Sequence, residues 1–209
     1  NEIGCRVVNP TCTASTSHET VAGVAPVGIA FGNPTNLAGS HKCGVIGGRF
    51  SGFKGAEGTH KAAIEFRPPS TGCYVRGTEF NDIGILFIYF DLADFGGLVS
   101  SGHRIEGVSV DGCAGYLMYI NSRENGAVID TLSDLSIADC SFRNINKTIH
   151  ARYVTELQMY ECEADEITVD ADLTYFIDAA NCPSLVFNDN NLNGCGRMMK
   201  LDTCIDHRV

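Results

Sequence analysis

Carboxylates at one recurring position of a repeated pattern are the first residues here that could do chemistry. Counting four residues on from Val45, Val75, Val108, Leu135, Leu157 and Leu185 gives Arg49, Glu79, Gly112, Asp139, Glu161 and Asp189. If the pattern stacks, Glu79, Asp139 and Glu161 become outward bend residues and candidate catalytic groups. Equivalent side chains on adjacent strands stand about 4.8 Å apart. A retaining glycosidase wants two carboxyls about 5 Å apart, and an inverting one roughly 6.5–9.5 Å. Such a pair also raises the pKa of one member, as a general acid requires. Tight bends favour Asp for conformational reasons as well, so position alone assigns no role.

A second group lies in residues 91–104, DLADFGGLVSSGHR. Asp91 and Asp94 are candidate catalytic carboxylates, and Phe95, His103 and Arg104, with Arg123 from the polar stretch 122–131, could hold a sugar. Gly96, Gly97 and Gly102 do not make a phosphate loop, because no lysine-serine pair follows them. There is no CxxC pair and the six histidines are scattered, so neither a zinc site nor a cofactor is expected.

These residues need a scaffold, and LSIADCSFRNI describes it. Its apolar residues Leu135, Ile137, Cys140, Phe142 and Ile145 fall at steps of two, three, two and three. Steps of two share one face of a strand, and each step of three inserts a bend. LQMYECEADEI and LVFNDNNLNGC repeat it from Leu157 and Leu185, and shorter copies begin at Val108, Val75 and Val45. The first-column residues are separated by 30, 33, 27, 22 and 28 residues. A second apolar run follows each copy, such as ILFIYF at 85–90 and YLMYI at 116–120. Two strands per repeat of this length make one turn of a coil wound around a single core. Loops that leave each coil at the same point would stack as neighbouring walls on one side. No segment carries the 3.6-residue period of a long helix.

This pattern resembles the right-handed parallel β-helix proteins, the pectate-lyase-like group that includes bacteriophage tailspikes and tail fibres. The resemblance covers roughly residues 24–205 and implies an all-β fold, a right-handed parallel β-helix of about six to seven coils. Residues 1–23 read as an irregular entry segment or linker, and 24–209 as the β-helix. The chain starts at Asn1 and stops as DTCIDHRV begins another coil, so it reads as part of a longer protein.

Composition agrees with such a fold and removes some partners. Glycine is plentiful at 23, tryptophan is absent and charged residues are 19%. A net charge of −10 disfavours nucleic acid, whose phosphates need clustered Lys and Arg, and equally an anionic membrane surface. No run of 18 apolar residues offers a membrane span. The ten cysteines read as small buried residues in stacked columns, Cys43 with Cys73 and Cys113 with Cys140 and Cys162. Parallel side-chain vectors in a stack do not favour disulfides, so free thiols and assembly in a reducing cytoplasm are expected.

The resemblance implies a tailspike-like module of a virion tail, made in the host cytoplasm and acting outside it. Such a module binds, and in the catalytic case cleaves, a bacterial surface polysaccharide. A non-catalytic adhesive β-helix and a free-standing polysaccharide lyase or hydrolase are the alternatives. With Ile85, Phe87 and Tyr89 inside, alternation leaves Leu86, Ile88 and Phe90 facing out, with Leu117 or Met118 extending the apolar patch. Either the loop 91–104 or another chain covers it; tailspikes pack as trimers, so the resemblance implies a homotrimer with these residues at or near the interface.

Overall fold

The computed structural model describes residues 4–14, 28–31, 40–53, 62–66, 69–83, 85–89, 99–121, 124–125, 128–129, 131–165, 167, 175–194, 199–204 and 206–208. Among these residues there is no helix, and nearly all strands belong to two large sheets in which every pairing is parallel. In the first sheet the order follows the sequence: Arg6–Val8, Gly44–Ile46, Tyr74–Arg76, Val99–Glu106, Thr131–Ala138, Glu156–Tyr160, Ser184–Asn188 and Asp206–Arg208. Between visits to the first sheet the chain passes through the second, whose longest members are Ser109–Asn121 and Ser141–Arg152. That alternation, with parallel neighbours throughout, is compatible with a parallel β-solenoid. The stretch expected to be a loop at 122–131 contains a short antiparallel pair, Glu124–Asn125 with Val128–Ile129.

Register is set by inward columns. Val45, Val75, Ile105, Ile137, Met159 and Phe187 are successive partners in the first sheet, and all are buried. In the second, Phe50, Phe80, Val110, Phe142 and Ala164 do the same, with the Phe50 and Phe80 rings stacked at 5.0 Å. Parallel strands repeat identical side-chain directions one spacing apart, so each apolar residue is covered by its counterparts above and below. Full burial of one such side chain is worth about 1.5–3 kcal/mol.

Left-handed backbone corners recur every five residues. They fall at Lys42, Gly47 and Gly52, at Gly72, Gly77 and Asp82, at Gly102, Gly107 and Gly112, and at Asp134, Asp139 and Asn144. The residue types follow from sterics. Glycine has no Cβ to clash at positive φ, and Asn and Asp tolerate the region better than other residues. The cysteines answer a second need of the corner. Cys43, Cys73, Cys140, Cys162, Cys182 and Cys204 each follow a corner residue and donate the thiol to the carbonyl two residues back, at 3.1–3.9 Å. Thr78 does the same with its hydroxyl at 3.2 Å. All nine described cysteines are free thiols.

Three details differ from the sequence reading. Leu135, Leu157 and Leu185 do stack, but Val45 and Val75 pair into the column of Ile137, two residues further on. Val108 is displaced by five, standing beside Cys140, since Ser109 pairs with Ser141. A pattern of alternating steps of two and three maps onto itself after five residues, which is why the slip is invisible to it. Consequently Cys140 and Cys162 share a column, whereas Cys113 pairs with Ile83 and Ile145. Lastly, Arg6–Val8 and Thr11–Thr13 pair with Gly44–Ile46 and Arg49–Ser51, inside the segment expected to be irregular.

Candidate functional site

The register shift separates the expected carboxylate column into two. Asp139, Glu161 and Asp189 occupy successive corners with φ of 51°, 54° and 56°, following Gly77 and Gly107. Their position answers the backbone requirement first. Glu79 lies two residues past its corner, paired in register with Arg49 and Ser109. The Arg49 guanidinium donates to Glu79 Oε2 from Nε at 2.9 Å and from Nη2 at 2.6 Å. Both side chains are more than half exposed, so the pair is a solvated cross-strand bridge of little net worth.

The second expected group is also redistributed. Asp91, Asp94, Phe95 and Arg123 lie outside the described residues. His103 and Arg104 are not loop residues, because the strand Val99–Glu106 contains both. His103 pairs with Leu135 and is wholly buried, so its ring takes the core position expected of a leucine and cannot meet a ligand at the surface. Its Nε2 lies 3.1 Å from Ser70 Oγ and 3.2 Å from the Ser70 carbonyl, and Phe66 meets the ring edge-on at 5.3 Å. Burial pushes the imidazole down to about 4, partly offset by its bond to the Ser70 backbone. Arg104 is exposed on the first sheet, in register between Tyr74 and Ser136.

A surface cluster that the sequence pattern did not single out stands on the second sheet. Met118 and Ile120 are buried, so the intervening Tyr119 points outwards. Tyr119 pairs with His150, His150 with Asp178, and Asp178 with Lys200, one residue from each successive strand. The Tyr119 and His150 rings stack at 5.1 Å with only 13° between their planes. An irregularity in register between Cys113 and Tyr116 precedes Tyr116, whose ring sits 5.3 Å from Tyr119 and 5.6 Å from His150. Three rings thus form one half-buried ledge.

Beside the ledge Asp178 is held by Arg152. The guanidinium donates from Nη2 to Asp178 Oδ2 at 2.9 Å, and from Nη1 to the carbonyls of Asp178 and Ala151 at 2.9 and 3.0 Å. His150 Nδ1 lies 3.5 Å from the same carboxylate oxygen, too far for a strong hydrogen bond. Burial, then the Arg152 charge, lowers the His150 pKa, against an opposing pull from Asp178. The imidazole is therefore neutral at pH 7. An aromatic face next to a fixed carboxylate and guanidinium suits a ligand with both apolar C–H faces and hydroxyls. The signal for it was present as the two tyrosines of YLMYI, but Asp178 is distant in sequence and only register brings it close.

The expected apolar patch is only partly described. Ile88 pairs in register with Glu65 and Tyr119, and Phe90 lies outside the described residues. Leu117 and Met118, expected to extend that patch, are both buried. No group of His, Cys, Asp and Glu among the described residues could hold a metal ion. No described helix is long and apolar enough to cross a membrane. Compared with known proteins, the chain matches no family model, no curated protein and no solved structure.

Proposed function

We propose that the chain is a right-handed parallel β-helix of the tailspike type that binds a bacterial surface polysaccharide. The ledge of Tyr116, Tyr119 and His150 beside Asp178 and Arg152 carries this reading. Sugars present a C–H face that packs on aromatic rings and hydroxyls that bond to charged side chains, and the ledge offers both within one patch. Its partners come from successive strands, so the ledge runs along the stacking direction, as an extended polymer would. Described carboxylates at Glu79 and Asp178 are already paired with arginine, which favours binding over hydrolysis at those two positions. In the same proposal the module acts on a virion tail as a homotrimer.

The test is binding of a panel of purified bacterial O-antigen and capsular polysaccharides by calorimetry, with reducing-end release followed in parallel. Tyr119→Ala should weaken the bound polysaccharide about tenfold, from the loss of one stacking partner. A polymer that binds Tyr119→Ala and wild type equally, or no binding across the panel, would overturn the proposal.

A further inference from the structure

The first sheet carries a different kind of surface. A half-open cleft of about 490 Å³ is lined by Gly4, Arg6, Lys42, Ile46, Gly72, Tyr74 and Arg76. Among the described residues that line it, three of seven are cations and none is an acid, in a chain of net charge −10. Local reversal of sign against the field of the whole protein concentrates anions at that spot. Arg76 also meets Glu106 just outside the cleft, Nε to Oε2 at 2.8 Å, which fixes the guanidinium.

Glycines are what let these groups converge. Gly44 lies in register beside Tyr74, and a Cβ there would come within 2.5 Å of the Tyr74 ring. The ring therefore occupies space that a side chain on the preceding strand would fill, and the Arg76 guanidinium carbon lies over it, 5.0 Å from the centroid. A Cβ on Gly4 would press on the Lys42 carbonyl at 3.2 Å, whereas Gly72 is favoured by its φ of 63° and a Cβ there would only touch the Lys42 stem. The floor is thus backbone, and the walls are an aromatic ring and cationic side chains. Arg104 continues the same column one strand further on.

We propose that this cleft binds the oxyanion of an acidic saccharide unit, a carboxylate or a phosphate ester. Arg6, Lys42 and Arg76 take the anion and the Tyr74 edge packs against the sugar. The proposal rests on the saccharide reading above, and adds that the ligand is charged and that a second site lies on the other sheet.

Isothermal titration of the full chain with glucuronate, glucose 6-phosphate and uncharged glucose tests it. At least one of the two anions should bind and glucose should not, and which anion binds decides between carboxylate and phosphate. Lys42→Gln and Arg76→Gln, both at exposed positions, should each weaken that anion about tenfold with circular dichroism unchanged. Raising salt from low to high concentration should weaken it further. Binding of neither anion, equal binding of glucose, or wild-type affinity in both variants would overturn the proposal. Those results leave the ledge untouched, since polysaccharide binding that depends on Tyr119 is read separately. Conversely, loss of the ledge effect with anion binding intact would remove the polysaccharide reading and leave the cleft.

Discussion

Acid should destabilise this fold through one buried imidazole. His103 is fully buried, and its pKa falls from 6.5 to about 4 in the native state. In the unfolded chain it returns to about 6.5. Between these values the unfolded state takes up a proton that the native state refuses. The contribution is therefore complete above about pH 6.5 and is lost as pH falls towards 4. At about 1.36 kcal/mol per pKa unit, the loss approaches roughly 3 kcal/mol at pH 4. That is a large share of a typical domain stability of about 5–15 kcal/mol. Urea unfolding between pH 4 and 7.5 measures it, with His103→Gln and His103→Leu as the non-titrating comparisons. Leucine is the residue that the next two strands place in this column, at Leu135 and Leu157. His103→Leu should cost about 1 kcal/mol at neutral pH, because Ser70 loses a partner but keeps Ser100, and should flatten the pH dependence. His150 is also lowered but is present in every protein compared, so it cancels in the difference. If both variants lose stability with acid as steeply as wild type, the buried histidine is not the cause.

Further outcomes follow from the register and the corners. Leu157→Asp should abolish folding, since it leaves an unpaired charge at a fully buried site. Gln158→Asp, partly exposed, loses a hydrogen bond to Glu156 and sets a like charge beside it, and should cost only about 1 kcal/mol by thermal melting. Glu161→Gly should stabilise by about 0.5–1 kcal/mol, because Glu161 holds φ of 54° at a corner where two earlier strands use Gly77 and Gly107. A lower urea midpoint for that variant would show that the Glu161 side chain contributes more than its backbone strain costs. Denatured protein alkylated without reductant should take up close to ten labels. The native protein should label slowly at Cys73 and Cys182, whose thiols burial pushes up to about 11.

Much of the scaffold was legible because a stacked sheet writes the same inward pattern into every strand. The column of Leu135, Leu157 and Leu185 and the buried pair Cys43 and Cys73 could be read directly. Absolute register could not, because steps of two and three repeat after five residues and the glycine copies lack the residue that would break the tie. His103 misled for a related reason. A histidine beside charged and glycine residues looks like a surface group, and only its pairing with Leu135 puts it in the core. The ledge stayed hidden because Tyr119, His150 and Asp178 meet across strands, and a scan for apolar periodicity counts a tyrosine as core or ignores it.

The parallel ladders also give the molecule a direction of strength. Hydrogen bonds between neighbouring strands all run along the stacking direction, while the covalent backbone runs across it. Tension applied across the stack loads many of these bonds together in shear, and no one of them carries the whole force. Tension applied along the stack peels the outermost strand first, and its few bonds fail in turn before the next strand is loaded. A pulling experiment on this protein should therefore show a high rupture force in the first geometry and a low, stepwise one in the second.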